Sequence, residues 1–444
     1  MADRTPIIEV HRQGVWTPAA ELQWLGDERC RLDYLPEYVF SDAPEPIALG
    51  LPVEFAADAV DADGHVDRLP PPFLYDLVPQ GKGRQFLVKL LDLKDDGGLV
   101  FPLLMAGAFN PIGRLRLDTA VAFVQAEVSK DKGPLLEDGL GLEDILQRSD
   151  EFLEHISLHS MLAAGTTGVQ GVAPKFLLAQ DEEGGWFADL ALPDTRARAH
   201  WLLKLPRGKS DEDRAVLRNE AAYLRLVDRC GLRAIAGEHT AAGPGGVMLH
   251  KEMLFVRRFD REVRDGRLHR LHQESLASLA GVRGFGQVVS QNRMLAALRR
   301  HATDPAAETV EFFKRDVLNQ AMRNTDNHAR NTAMQRTVDG VIRLTPVFDF
   351  APMFMDPEVV PRSAQWLGAR EERLDDWGAV LDHLTGTGLL AATERDSLAR
   401  ELRDFAPTVA RLPELAISCG VEDHVLSQCL RAIDRQAGQL AALA

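Results

Sequence analysis

The stretch Arg323-Asn324-Thr325-Asp326-Asn327-His328-Ala329-Arg330-Asn331 decides how the rest of the chain is interpreted. Asp326 and Asn331 are five positions apart in it, and only polar or small residues lie between them. Further along, a second acid, Asp349, closes the apolar run Pro346-Val347-Phe348. One class of phosphoryl-transfer enzymes places a catalytic aspartate and a metal-binding asparagine at this spacing, followed by a separate metal-binding aspartate. Because Asp, Asn and His are also ordinary loop residues, the pattern is informative only if other parts of such a site accompany it.

The composition is that of an ordinary globular protein. With 444 residues, 45% of them hydrophobic and 26% charged, the chain is long enough for two or three domains. It contains no apolar run of about eighteen residues and no apolar core of a signal peptide, so we expect no membrane span. The four cysteines lack metal-ligand spacing, which indicates reduced thiols in a cytoplasmic protein. The net charge of −15 argues against autonomous, non-specific nucleic-acid binding, but not against contact with DNA through a partner.

The succession of strands, turns and helices predicts an α+β chain. Strand-like segments such as Ile7–Val10 and Arg114–Leu117 alternate with turns near the N-terminus, and Phe176–Ala179 is a further strand candidate. The C-terminal part is mostly helical, with one strand pair near 341–349 and with Pro407 among the residues that punctuate the helices. We therefore predict four parts: 1–128, a small mixed domain; 129–150, a linker with a short helix; 151–270, strands, glycine turns and one helix; 271–444, a helical part carrying the Asp–Asn stretch.

A candidate phosphate cradle is the loop Gly165-Thr166-Thr167-Gly168-Val169-Gln170-Gly171. Glycines at three-residue intervals let backbone N–H groups approach an anion without interference from Cβ atoms. On spacing alone a plain flexible loop is the better explanation, because the loop matches neither a Walker P-loop nor the standard kinase repeat.

A lysine and a glutamate supply the next candidate pair. Lys204 lies near the end of the strand-like run Trp201–Leu205, where its amine could enter a cleft; a lysine reaching out from a sheet edge is equally compatible. The acids Asp211–Asp213 begin a helix predicted to end near Gly231. On that helix Glu220 could hold the lysine toward phosphates, although a solvated helix face is the ordinary reading of a single glutamate.

The second acid would be held rigidly by a strand end. Asp349 could then bind a metal, or it could merely cap a turn. Carboxylate and amide oxygens suit magnesium, a hard cation. His328 could be a zinc ligand or a general base, but no second His or Cys lies at ligand spacing, which favours a hydrogen-bonding role.

Several longer segments carry a more specific pattern. They are Pro46–Pro52, Asp76–Gly81, Gly168–Lys175, His200–Pro206, Asn219–Glu220, Val256–Arg261, Asn324–Asn331 and Leu344–Asp349. In these motifs, over most of its length, the chain resembles the HipA-like serine/threonine kinases, the toxins of bacterial type II toxin–antitoxin pairs.

The resemblance implies a bilobal protein-kinase-like fold with a small N-terminal α/β subdomain, a mostly helical C-terminal lobe, and ATP and Mg²⁺ in the cleft. It implies that Lys204 contacts the phosphates and that Asp326 is the catalytic base, with Asn331 and Asp349 holding magnesium. The ATP-binding residues implied are Gly168, Val169, Gln170, Lys204, Glu220, Val256, Arg257, Phe259 and His328.

The resemblance also implies partners. Relatives phosphorylate a serine or threonine of a protein, in known cases an aminoacyl-tRNA synthetase, and are restrained by a small helix-turn-helix antitoxin that provides most of the DNA contact. They can be silenced by phosphorylation of the glycine-rich loop, for which Thr166 and Thr167 are the available hydroxyls and Ser160 a poorer one. No membrane partner and no metal other than magnesium is implied.

Two departures from the family pattern stand out. Gly171-Val172-Ala173 looks like an insertion before Pro174-Lys175, and Arg257 stands where relatives often have glutamate. Besides an active toxin kinase, two functions stay open: a kinase-fold co-repressor acting with its antitoxin, and a small-molecule phosphotransferase.

Overall fold

The computed structural model describes residues 5–26, 29–54, 68–95, 98–128, 139–147, 175–189, 191–237, 240, 242–357 and 360–444. Its strands are β1 (Ile7–Arg12), β2 (Val15–Gly26), β3 (Arg29–Tyr34), β4 (Leu115–Leu117), β5 (Lys175–Gln180), β6 (Trp186–Ala188), β7 (Ala199–Lys204), β8 (Val247–His250), β9 (Met253–Arg257), β10 (Arg261–Arg264), β11 (Arg267–Arg270), β12 (His272–Ser275), β13 (Ala333–Arg336) and β14 (Ile342–Leu344). Its helices are α1 (Pro36–Val39), α2 (Leu74–Leu77), α3 (Gly81–Leu90), α4 (Val100–Gly107), α5 (Asp118–Val128), α6 (Leu142–Gln147), α7 (Asp211–Arg229), α8 (Leu276–Leu279), α9 (Gln291–His301), α10 (Pro305–Ala321), α11 (Trp377–Gly386), α12 (Ala392–Ala410), α13 (Leu412–Cys419) and α14 (Asp423–Ala441).

The N-terminal region, residues 5–128, is built on an antiparallel sheet in the order β3-β2-β1-β4. Gly14, with φ of +86°, makes the turn between β1 and β2, a conformation that glycine adopts without strain. Alternate residues of β1, Ile8 and Val10, are fully buried, as a sheet with one covered face requires. They belong to a hydrophobic core that also takes in helices α2 to α5 and meets the following sheet at Leu177.

The second sheet has five antiparallel strands in the order β6-β5-β7-β9-β8. Strands β5 and β7 confirm the strands predicted from Phe176–Ala179 and Trp201–Leu205. β7 is the central strand, so Lys204 at its end does not lie on a sheet edge.

Helix α7 follows this sheet and begins with a capping box. Ser210 Oγ accepts a hydrogen bond from the Asp213 N–H at 3.1 Å, and the Asp213 carboxylate accepts one from the Ser210 N–H. The helix ends at Arg229, and Gly231, with φ of +71°, follows it. Leu217, Leu224 and other residues of its inner face are buried in the large C-terminal core.

Within its described residues, the C-terminal part contains a three-stranded antiparallel sheet, β12-β13-β14, and seven α-helices, α8 to α14. Helix α10 crosses its core, where Phe313 stacks on Trp366 with ring centroids 4.7 Å apart. The prediction of a single strand pair near 341–349 was wrong, because β12 adds a third strand through pairing that is distant in sequence. Pro407, predicted to interrupt the C-terminal helices, lies inside α12.

Some features concern the chain as a whole. All four cysteines are buried free thiols. Among the described residues, no helix combines the length and the apolar character that crossing a membrane requires. The predicted domain boundaries at 128, 150 and 270 remain predictions; 129–138 and 148–174 lie outside the described residues.

Candidate active site

A buried lysine joins two carboxylates from distant parts of the chain. Lys204 Nζ donates a hydrogen bond to Glu220 Oε1 at 2.5 Å and a very short one to Asp349 Oδ1. Lys204 is only 4% exposed and Glu220 only 7%, so neither is the solvated side chain that a single lysine or glutamate usually is. Coulombic attraction to both acids outweighs the desolvation of the ammonium and raises the pKa of Lys204. The lysine is therefore held fully charged in the cleft.

A second lysine, Lys175, lies opposite Lys204 in the register of β5 and β7, so both side chains share one face of the sheet. Lys175 is 9% exposed, and no described carboxylate is within ion-pair distance of its ammonium group. Burial lowers the pKa of Lys175 to about 8, with the attraction of Asp349 opposing the shift and Lys204 reinforcing it. An ammonium group that is buried and lacks a close counter-ion is suited to an anionic ligand.

The Asp–Asn stretch forms a tight loop after α10. Asn331 Nδ2 donates to the Asp326 carbonyl oxygen at 2.9 Å, and the Asn331 N–H donates to the His328 carbonyl oxygen at 2.9 Å. These two bonds hold Asn331 against the backbone of Asp326 and His328. Burial and the nearby Asp349 raise the pKa of Asp326, although His328 and Lys175 oppose that effect.

Both ring nitrogens of His328 are buried, although its side chain as a whole is 19% exposed. Among the described residues, neither of its nitrogens finds a hydrogen-bond partner, and its Nε2 lies 3.6 Å from Asp326 Oδ1. Burial lowers the pKa of His328, against the attraction of Asp326 and Asp349. The neutral ring can therefore donate to a ligand or accept from one.

Asp349 is not held by a strand end, contrary to the sequence prediction. Strand β14 ends at Leu344, and Asp349 lies beyond it with φ of +49°, a left-handed conformation that Asp and Asn adopt more readily than most residues. Two long-range hydrogen bonds hold the intervening segment: Arg315 Nη2 donates to the Thr345 carbonyl oxygen at 2.7 Å, and the Val347 N–H donates to that of Arg233 at 2.9 Å. Lys204 and Lys175 lower the pKa of Asp349 to about 2 despite its burial.

These groups line one cleft. A cavity of about 340 Å³ is bordered by Lys175, Lys204, Glu220, Asp326, His328 and Asp349. Beside it lies a smaller apolar pocket, walled by Leu177, Leu202, Leu224, Val256, Phe259 and Phe348. Charged groups thus occupy one end of the cleft and apolar side chains the other, as a nucleotide with its phosphates and its flat base requires.

The structure brings most of the candidate residues together. Lys204, Glu220, Asp326, His328 and Asp349 line the charged cavity; Val256, Arg257 and Phe259 line the apolar pocket. Asn331 borders a third, small pocket with Asp326 and Asp349. Gly168, Val169, Gln170, Thr166 and Thr167 lie outside the described residues.

Sequence reasoning missed the position of Lys175 in this cleft. The available signal was a lysine directly before the apolar strand Phe176–Ala179. Lys175 is two positions before the buried Leu177, so the two side chains lie on the same face of the strand. The same reasoning missed a buried ion pair beside the apolar pocket, in which Arg258 donates to both carboxylate oxygens of Asp260 at 3.0 and 2.9 Å.

This mixed α/β architecture has a counterpart among solved structures. The structure is similar to that of HipA from Shewanella oneidensis, solved with HipB and its operator DNA: the TM-score is 0.65 at 20% sequence identity, over 98% of this chain and 99% of that one. At that identity the similarity shows the fold alone.

The sequence identifies the family. The family model described as the HipA-like C-terminal domain matches residues 167–411, more than half of the chain. The chain therefore belongs to the HipA-like family.

Two curated relatives are similar over part of their length. One is "Putative kinase Y4mE" of Sinorhizobium fredii, 26% identical over 236 residues, which are 51% of this chain and 53% of that protein. The other, a "Putative kinase" of Haemophilus influenzae, is 28% identical over 165 residues, 35% of this chain and 47% of that protein. The chain thus spans about half the length of the curated relatives it matches.

Proposed function

We propose that the chain is an ATP- and magnesium-dependent protein serine/threonine kinase on a bilobal kinase-like fold, and that it acts as a growth-inhibiting toxin. The observation that carries the proposal is the ion pairing of Lys204 with both Glu220 and Asp349, in a cleft that Asp326 also lines. A lysine–glutamate pair beside a metal-binding aspartate is what a kinase needs to place phosphates against magnesium.

The residues of the cleft fit a nucleotide and a hard metal ion. Two buried ammonium groups, Lys204 and Lys175, provide positive charge for phosphate oxygens, and the unsatisfied His328 ring provides a hydrogen bond. Asp349 and Asn331 offer carboxylate and amide oxygens, the ligands that magnesium takes together with water and phosphate. The segment Val256 to Phe259 would be the hinge between the two lobes and would read the adenine base through its backbone. Magnesium-bound ATP would supply the phosphoryl group to be transferred.

Asp326 is the group we assign to the acceptor hydroxyl. Its carboxylate would orient that hydroxyl and accept its proton as the new phosphate ester forms. The raised pKa of Asp326 makes it a better proton acceptor than an exposed aspartate.

The biological role is inferred from relatives. The solved HipA is a component of a toxin–antitoxin system in complex with HipB and operator DNA. By analogy we propose a small helix-turn-helix antitoxin as partner, a translation-related protein such as an aminoacyl-tRNA synthetase as substrate, a cytoplasmic location, and phosphorylation of Thr166 or Thr167 as a means of silencing. Growth arrest by such a kinase would produce persistence.

Labelled ATP with magnesium tests the catalytic proposal. We expect the intact chain to label itself or an added lysate protein, and Asp326→Ala to do neither. Equal labelling by both forms would refute the kinase assignment and favour the co-repressor. Phosphoprotein profiling of cells that express each form would then identify the acceptor, and a labelled metabolite instead of a protein would indicate a small-molecule phosphotransferase.

A further inference from the structure

We propose that Asp76, in the N-terminal region, is a positioning residue for the catalytic loop and that this region thereby forms part of the catalytic unit. The inference rests on the proposed function, because the loop that Asp76 touches carries Asp326 and Asn331. Asp76 is the polar member of helix α2, whose other residues, Leu74, Tyr75 and Leu77, are buried in the N-terminal core. Its side chain points out of that core and into the C-terminal part.

The first contact is a direct ion pair. Asp76 Oδ1 accepts a very short hydrogen bond from Arg330 Nη1, and Arg330 is the residue immediately before Asn331. The Arg330 side chain is 8% exposed, its Nη2 donates to the Gly284 carbonyl oxygen at 2.8 Å, and its guanidinium lies 4.9 Å from the ring centroid of Phe285. Removing one partner of such a buried pair leaves the other charge desolvated without a counter-ion, so the loop would have to rearrange.

The second contact runs through helix α8. Asp76 accepts hydrogen bonds from the Ser275 N–H at 2.9 Å and from Ser275 Oγ at 2.7 Å. Ser275 caps α8 by accepting from the Ser278 N–H. The first N–H groups of that helix, those of Leu276 and Ala277, donate to the carbonyl oxygens of Thr332 and Ala329, at 2.8 and 3.1 Å. Asp76 thus holds the loop from its arginine and from the helix end on which the loop rests.

Both contacts cross between regions that are distant in sequence. Asp76 and Arg330 are 254 positions apart, and Asp76 and Ser275 are 199 apart. Asn331 itself is bonded within the loop, because its N–H donates to the His328 carbonyl oxygen, so its position depends on how the loop as a whole is held. An error of about 1 Å in the position of a catalytic group can lower turnover about a hundredfold, so the clasp formed by Asp76, Ser275 and Arg330 bears directly on rate.

The test is a double-mutant cycle on the full chain with Asp76→Asn, Arg330→Gln and the double variant. For each single variant we expect kcat to fall between about tenfold and a hundredfold, with KM for ATP changed less than about twofold, because the nucleotide contacts are untouched. The double variant should be no worse than the poorer single one, since both changes break the same clasp. An unchanged kcat for Asp76→Asn, or effects that multiply in the double variant, would overturn the proposal.

The matched control is Glu45→Gln. Glu45 is also an acid of the N-terminal region; it pairs with Arg114 of the same region and lies 3.9 Å from Arg336 of β13, but it makes no ion pair with the described residues 323–331. We expect its kcat to stay at the wild-type level. A fall as large as that of Asp76→Asn would mean that any weakening of the N-terminal region lowers turnover, and the specific role of Asp76 would be lost.

Hydrogen exchange separates this proposal from the proposed function. The Asn331 amide should exchange faster in Asp76→Asn and Arg330→Gln than in the wild type or in Glu45→Gln, whether or not the chain proves to be a kinase. If the wild type transfers no phosphate, the proposed function is refuted, but the exchange rate of the Asn331 amide still shows whether Asp76 and Arg330 hold the loop. Equal protection of the Asn331 amide in all four proteins would refute the clasp even in an active kinase.

Discussion

The substitution Asp349→Asn removes the negative charge of the proposed metal ligand while keeping the shape of its side chain. Asparagine keeps the size of the side chain and one oxygen acceptor, and it tolerates the left-handed φ of +49° as aspartate does, so the backbone is not strained. Lys204 keeps its hydrogen bond to Glu220, so its buried ammonium group still has a counter-ion in the variant. The change therefore removes one negative charge from a cluster of two lysines and three carboxylates.

The cost in stability follows from the pKa of this carboxyl group, which is lowered from 3.8 to about 2. Since one pKa unit corresponds to about 1.4 kcal/mol, the ionised carboxylate contributes about 2 kcal/mol to the free energy of unfolding. A lowered carboxyl pKa means that this contribution is complete above about pH 4 and is lost as the pH falls through 2. We expect Asp349→Asn to lose about 2 kcal/mol at pH 7 in urea unfolding without magnesium, a loss that leaves the protein folded.

The cost in turnover should be much larger. A metal ion contributes several kcal/mol of transition-state stabilisation, and about 1.4 kcal/mol corresponds to a factor of ten, so loss of a metal-binding charge should lower kcat at least about a hundredfold. Initial rates measured against magnesium concentration check this. Asp339→Asn, which removes an exposed acid paired with Arg264, is the control and should leave kcat unchanged. A rate for Asp349→Asn within about tenfold of the wild type would show that Asp349 is not the metal ligand.

Two further predictions concern stability. The pKa of Lys175 is lowered from 10.5 to about 8, so burying its charged form lowers the free energy of unfolding by about 3 kcal/mol below pH 8. Between pH 8 and 10.5 the unfolded chain binds more protons than the folded one, so the free energy of unfolding rises with pH and this cost disappears. Lys175→Met should therefore unfold at a higher urea concentration than the wild type at pH 7 and lose that advantage near pH 10.5. Calorimetry should show that the variant binds ATP more weakly. A variant less stable than the wild type at pH 7 would contradict the reasoning. Ser210→Ala removes the cap of α7 and should lower the free energy of unfolding by about 1 kcal/mol, whereas Ser210→Asp, which can still cap, should not; equal losses in the two variants would argue against the cap.

Sequence reasoning succeeded where structure is encoded locally. The strands around Phe176–Ala179 and Trp201–Leu205 follow from apolar runs bounded by turns, and α7 follows from the acids at its start and the glycine after its end. The order of the lysine, glutamate and aspartate segments also lies in the sequence. Their convergence on one cleft does not, because it depends on the pairing of strands and helices far apart in the chain.

The failures have the same physical origin. Asp349 was expected at a strand end, but it lies beyond β14, in a segment held by Arg233 and Arg315 from other parts of the fold. Strand β12 was missed because its partner β13 is some sixty residues away, and pairing, not composition, makes it a strand. The contact of Asp76 with Arg330 likewise has no local signature.

The register of β5 against β7 has a consequence for how this chain can change in evolution. Side chains alternate between the two faces of a strand, so inserting or deleting one residue within either strand would turn its lysine away from the cleft and toward the opposite face. Changes of length in this part of the molecule are therefore confined to the connections, such as the turn at 181–185 and the segment between β6 and β7. Homologues that vary in length should differ there, while the number of residues from each lysine to the far end of its strand stays constant.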